Sequence, residues 1–219
     1  MGGQLKPLVM VGETRSKSNI ATLQRLGWGR MFVASRPTPY PYEPWGFDNQ
    51  AFIAWRNGTP WDECAYLKRV ATACKIASDP YLAVCPDIVA AGLHSLDFSL
   101  KWRTGELRSV DFPWYLAVQD GMDVEDVKMH LHLFAGIFLG GSDRFKATAY
   151  RWCQLAHNHQ MKFHYGRAST PRKLVSAFKV GSDSCDSAFP LWTAERMGIF
   201  SARWQGLEEQ TTMQFTEVN

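Results

Sequence analysis

Cysteine is scarce and scattered: the 219-residue chain has five, Cys64, Cys74, Cys85, Cys153 and Cys185, an odd number with no C-x-x-C pair among them. That spacing suggests neither a disulfide framework nor a zinc ribbon, and it fits a reducing cytoplasm. Long apolar runs are missing as well. Near the start only residues 8–11 form an apolar stretch, too brief for the core of a signal peptide, and nothing approaches the roughly 20 apolar residues of a spanning helix. A soluble protein with no membrane partner is expected. Neither sign of charge is in large excess: 24 Lys and Arg stand against 21 Asp and Glu, a net charge of +3. This excludes a histone-like polycation and permits a nucleic-acid partner. Of the six histidines, His130 and His132 lie two apart, as do His157 and His159. Residues two apart do not share a helix face, so no metal site is expected, and nothing in the chain demands a cofactor.

What the chain does have is apolar bulk. Hydrophobic residues make up 46%, with nine Trp and thirteen Phe, enough for one sizeable core but short of two full domains. Short apolar or β-branched runs recur at 7–11, 31–34, 45–48, 81–86, 114–119, 136–140, 162–165 and 183–186. Segments of helical period lie between them at 19–26, 61–77, 88–100, 124–134, 143–159 and 171–180, and a last one at 191–207. Such alternation is the pattern of repeated βα units around a parallel sheet. A compact (β/α)8 TIM barrel is therefore expected as a single domain over residues 1–207, followed by a polar tail at 208–219. About 250 residues are typical of this barrel, so several helices must be short or absent. Residues 36–44, RPTPYPYEP, carry four prolines and are expected to form an extended loop. Ser169-Thr170-Pro171 marks a capped helix start, and Asp123 and Asp143 sit where caps belong.

The active site of a parallel barrel lies at the C-terminal ends of its strands. Those ends are polar here: the third run ends in Asp48, Asp87 follows the fourth, the fifth ends in Gln119, the sixth runs out in Gly140-Gly141, the seventh in His164 to Arg167, and the eighth ends in Asp186. A single Asp at such a position serves equally well as a helix cap or turn former. Three carboxylates with an amide and a bare Gly-Gly form a set suited to a flat ligand. Glycine lets a base approach the backbone, and carboxylate and amide groups match the N–H and C=O edge of a purine. Arg144, Lys146, Arg167, Arg172 and Lys173 cluster late in the chain, either as a solvated helix face or as phosphate contacts beside the mouth. Trp192 is expected to pack in the core or, with Arg196, to lie against an extruded base. His164 is the one histidine in a position to touch substrate.

Several segments resemble the tRNA-guanine transglycosylases. Gly166-Arg167-Ala168-Ser169-Thr170-Pro171 with Leu174, then Gly181-Ser182-Asp183-Ser184-Cys185-Asp186 and Pro190, is similar to the family's G-x-G-T-P-x-x-L helix start and G-x-D-x-x-D motif. Asp48-Asn49-Gln50-Ala51-Phe52 resembles its D-S-G-G-F region, Val118-Gln119-Asp120-Gly121 its V-Q-G-G, and Gly140-Gly141-Ser142 its G-G strand end. The resemblance implies base exchange: Asp186 as nucleophile on a guanosine sugar, Asp48 as the proton-transfer group, and Asp87, Gln119, Gly140 and Gly141 around the base. It implies free 7-deazaguanine as co-substrate; the basic residues Arg144, Lys146, Arg167, Arg172, Lys173 and Arg196, read from their position beside the mouth, would then face the nucleic acid. D-N-Q-A stands where the family has D-S-G-G, and no cysteine follows Cys185, so the family's zinc-binding subdomain is expected to be missing. That absence makes the chain more like the DNA-modifying branch found in phages and bacterial modification islands, with tRNA the alternative polymer. A non-catalytic nucleobase-binding barrel and an unrelated barrel hydrolase with paired carboxylates remain the other readings.

Overall fold

In the computed structural model, which describes residues 5–33 and 36–207, eight short parallel strands close into one barrel in sequence order. They are β1 (Leu8–Val11), β2 (Gly29–Phe32), β3 (Gly46–Phe47), β4 (Leu82–Val84), β5 (Trp114–Val118), β6 (Gly136–Leu139), β7 (Lys162–Tyr165) and β8 (Ser184–Ser187), and β8 pairs with β1 to close the ring. The helices are α1 (Lys17–Leu26), α2 (Ala51–Arg56), α3 (Glu63–Ala73), α4 (Leu93–Thr104), α5 (Val124–Lys128), α6 (Asp143–Lys146), α7 (Ala149–Asn158), α8 (Pro171–Lys179) and α9 (Ala194–Gln205). No helix among the described residues is long and apolar enough to cross a membrane.

Alternation along each strand divides the core in two. Val9, Val11, Phe47, Ala83, Leu116, Val118, Phe163 and Cys185 face outward and are buried beneath the helices. Met10, Met31, Leu82, Val84, Tyr115 and Ala117 face the axis, with Leu8, Tyr81 and Phe138 against them. This interior is full. A Cβ on Gly136 would lie 2.5 Å from the Tyr115 ring, and one on Gly46 would lie 2.2 Å from Met31 Sδ, so two inward positions must be glycine for their large neighbours to fit. Five tryptophans, Trp28, Trp45, Trp102, Trp114 and Trp152, are buried in the outer layer.

All eight expected strands form, with ends shifted by a residue or two; β2 starts at Gly29, and residue 34 of its expected span lies outside the described residues, as does the tail at 208–219. Several helices differ from expectation for local reasons. The expected span 143–159 breaks at Ala147-Thr148 into α6 and α7, and its cap is Ser142, whose Oγ accepts Phe145 N–H, with Asp143 one residue inside. The span 124–134 closes after α5 in a single 3-10 turn, Leu131–Leu133, and 191–207 starts late at Ala194, because Thr193 is its cap. Helix α2 was not anticipated: six residues are too few to show a period. Thr170 and Asp123 do cap their helices, Asp123 in a reciprocal capping box with Asp126.

The proline-rich loop at 36–44 is tied down by one buried ion pair. Arg30, on β2, donates from Nε and Nη2 to the two oxygens of Glu43 at 2.8 and 2.7 Å, and to the Thr14 and Thr38 carbonyls at 2.9 Å each. Glu43 also accepts Tyr40 N–H at 2.9 Å. With its hydrogen-bonding capacity filled in this way, a buried pair carries little uncompensated charge.

Candidate active site at the barrel mouth

The short strands leave the polar residues just beyond them to form the rim of the mouth. Asp48, immediately after β3, takes Gln50 N–H on Oδ1 at 2.6 Å. Gln50 makes that bond from a left-handed backbone, φ 66°. Burial, more than any neighbour, pushes the Asp48 carboxyl up to about 6; the charge of Asp186 adds to the rise, and the Gln50 N–H and Arg69 work against it.

Asp186, on β8, is held differently. Its Oδ1 accepts both His164 Nε2, at 3.0 Å, and Arg167 N–H, at 2.9 Å, while Oδ2 accepts no hydrogen bond among the described residues. Burial would raise this carboxyl too, but the His164 hydrogen bond and charge, the Arg167 N–H and the nearby Lys146 outweigh it and hold Asp186 below the usual carboxylate range. Arg167 is again left-handed, φ 53°. Asp186 is thus held toward its anion while the Asp48 carboxyl is raised, the kind of split by which paired carboxylates divide acid–base and nucleophilic work.

The expected base-reading residues are arranged less simply. Asp87 accepts Asn49 Nδ2 on Oδ1 at 2.7 Å and Gln119 Nε2 on Oδ2 at 3.5 Å, and burial pushes it up to about 6. Gln119 is buried and committed at both ends: Nε2 donates to Ser95 Oγ at 2.7 Å and the Ile88 carbonyl at 2.9 Å, and Oε1 takes Ala90 N–H at 2.6 Å. It organises the loop after β4 and has no free edge for a base. Ala90, φ 63°, is the third left-handed residue of the mouth to donate its N–H to a functional side chain. Such backbone strain clusters at functional sites. A Cβ on Gly140 would press on the Val118 carbonyl at 3.3 Å with nothing else within 4 Å, whereas one on Gly141 would lie 2.7 Å from Asp120 Oδ2.

His164 does not reach the surface. It is fully buried beneath Asp186, with Nδ1 2.8 Å from Ser184 Oγ and its ring stacked on Phe138 at 4.7 Å. Ser, His and Asp so linked would make a hydrolytic triad if Ser184 were reachable, but Ser184 is itself fully buried inside the barrel.

The basic residues separate into two groups. Lys146 is buried, donates to the Gly166 carbonyl and lies 5.2 Å over the Tyr165 ring; burial, with Arg167 beside it, drops its ammonium to about 7. It is a loop support, not a phosphate contact. Lys173 is paired to Asp143 at 2.7 Å. Arg167 donates to the Gly141 carbonyl at 2.6 Å and covers Phe52. Arg144 and Arg172 are exposed and Arg196 is half-buried, and none of the three makes an ion pair among the described residues. Trp192 is 59% exposed, not in the core, and Arg196 lies 4.6 Å over its ring.

Sequence reasoning missed Asn49, which ties β3 to β4 through the Cys85 carbonyl at 2.8 Å and Asp87, and Arg69, whose Nη2 donates to the Asp48 carbonyl at 2.9 Å. Asn49 carried a legible signal in its place between Asp48 and the next helix. Arg69, on α3, carried none.

No family model and no curated protein matches this chain. Among solved structures it is similar to the Amycolatopsis orientalis BexX/CysO complex, at TM-score 0.60 and 9% identity over 97% of this chain and 92% of that one. It is similar to Proteus mirabilis N-acetylneuraminate lyase, at 0.55 and 9% over 95% and 81%, and to QR15, an aldolase, at 0.53 and 10% over 97% and 96%. Likeness at this identity establishes the fold, a single-domain (β/α)8 barrel, and leaves the chemistry to the site.

Proposed function

We propose that this barrel is a base-exchange transglycosylase that replaces guanine in DNA by a 7-deazaguanine. The observation that carries the reading is the carboxylate pair at the mouth: Asp186 with both donors on Oδ1 and Oδ2 free of hydrogen bonds among the described residues, and Asp48 held by the Gln50 N–H, its carboxyl raised by burial to about 6. In the first step Asp186 Oδ2 bonds to the anomeric carbon as the bond from that carbon to guanine N9 breaks. The electron pair leaves with guanine, and Asp48 supplies the proton the base takes up. In the second step Asp48 accepts the N9 proton of the incoming 7-deazaguanine, whose nitrogen displaces Asp186, so two inversions give net retention.

Gly140 has no side chain to stand in the way of a flat base, and the exposed Arg144 and Arg172, with the half-buried Arg196, suit a polyanion lying over the rim. Such a protein would work in the cytoplasm, where its polymer and free base meet. The test is an exchange assay with labelled guanine or 7-deazaguanine, offering DNA and tRNA in one reaction. Incorporation into DNA, with a covalent adduct that vanishes in Asp186→Ala, is the expected result. Label entering tRNA alone moves the assignment to the tRNA-acting enzymes, and full exchange by Asp186→Ala refutes the mechanism.

A further inference from the structure

Among the described residues the barrel interior below the mouth is largely apolar, its polar groups including His164 and Ser184 and, lower down, the hydroxyls of Tyr81 and Tyr115. A buried polar group in so crowded a core is costly unless it is fully bonded. Both ring nitrogens are used: Ser184 Oγ holds His164 Nδ1 at 2.8 Å and His164 Nε2 holds Asp186 Oδ1 at 3.0 Å. Phe138, stacked 15° from parallel at 4.7 Å, prevents the imidazole from turning.

We infer that His164 is a positioning residue for Asp186: Ser184 fixes its ring so that Nε2–H is donated upward to Oδ1, leaving Oδ2 as the only oxygen free to attack. This deepens the transglycosylase reading and rests on it for the word attack, but the placement of the proton does not depend on it. Two donors on Oδ1, His164 from below and Arg167 N–H from the side, set the plane of the carboxylate. A carboxylate with one donor can rotate; with two it presents a single lone-pair direction, which is what in-line displacement at an anomeric carbon needs. The groups that face this pair from neighbouring elements are Asp48, Lys146 and Arg167, and none of them bonds His164.

Nitrogen NMR on the resting protein, with no substrate, reads which ring nitrogen of His164 carries hydrogen. Hydrogen on Nε2 is expected, and a bare Nε2 with hydrogen on Nδ1 alone overturns the inference. In the exchange assay, His164→Phe, which preserves the stack on Phe138, should lower kcat roughly 10- to 100-fold with little change in KM. His164→Gln, whose amide reaches the same point as Nε2, should recover most of that loss. A Gln variant as slow as Phe, with both folded by circular dichroism, sinks the positioning role. If the wild type exchanges no base at all, the functional reading fails by itself, while the NMR result still decides the proton.

Discussion

Arg167 lies across the barrel mouth, its guanidinium carbon 4.3 Å from the centre of the Phe52 ring. The two residues stand on strands opposite each other in the ring of eight, Arg167 just past β7 and Phe52 at the start of α2, just past β3. A ligand that reaches Asp186 must displace or slide beneath this contact, and the backbone of the same Arg167 holds Asp186 Oδ1. One residue therefore carries two separable jobs. Arg167→Gly keeps the N–H and relaxes the left-handed backbone, so its cost should fall on KM. Arg167→Pro removes the N–H and cannot reach φ 53°, so kcat should drop by a further roughly 10-fold or more. Equal kinetics for the two variants would separate Arg167 N–H from catalysis.

The two groups of cations predict different salt behaviour. Replacing Arg144, Arg172 or Arg196 by Ala should each reduce the slope of log K against log salt for DNA binding by about 0.9 if it meets one phosphate. Lys146→Met should leave that slope alone, because its ammonium is buried on the Gly166 carbonyl. A lowered slope for the Lys146 variant would place that side chain at the nucleic acid after all.

Asp48 and Asp186 should move stability with pH in opposite senses. Burial raises the Asp48 carboxyl to about 6 in the fold, so the native state favours its protonated form. Its stabilising contribution is full below the unfolded value near 4 and is lost as pH rises to about 6. Asp186, held low, contributes above the unfolded value and loses that contribution as pH falls through its folded value. Asp48→Asn should therefore raise the Tm at pH 7.5 by roughly 3–8 °C, with little change near pH 4. Thermal melts at the two pH values check the sign, and a variant destabilised at pH 7.5 contradicts it.

Exchange itself should show the same pair. If Asp48 must carry a proton as guanine departs, kcat/KM declines above about pH 6, the value to which burial raises it. Asp48→Asn should lose that alkaline limb together with most of the rate. A profile flat from pH 5 to pH 8 in the wild type would remove Asp48 from the proton path.

Gly136→Ala tests the packing of the interior. The added methyl would stand 2.5 Å from the Tyr115 ring, which is fully buried and cannot swing away. Overpacking of this kind costs about 1–3 kcal/mol, read as a fall in the denaturant midpoint. Tyr115→Leu in the same chain should restore part of it.

The barrel was legible because its strands are either wholly apolar or alternate over a tight interior, a pattern that survives even where a strand is two residues long, as in β3. Helices were less so. Breaks such as Ala147-Thr148 depend on tertiary contacts of short segments, and α2 is too short to have a period. At the site, position after a strand end was enough to find Asp48, Asp87 and Asp186, since chain geometry alone brings such residues to the mouth. Whether a side chain there is spent on the protein or left for a ligand was not legible. Gln119 and His164 look like ligand groups in one dimension and are bonded to the protein in three. Lys146 points under a loop rather than over it because α6 ends one turn after its cap, a distance no local pattern encodes.

Met10, Met31, Tyr115 and Phe138 fill the barrel up to the layer of His164, and that sets the depth of anything that acts there. Asp186 stands directly on this filled interior, hydrogen-bonded to the buried His164, so it can be approached only from the rim. If the transglycosylase reading holds, a polymer lying on that rim would have to offer its base by turning a single nucleotide out of its stack. Structures that have already lost their pairing, such as mismatches, nicks and single strands, would then enter at lower cost than intact duplex.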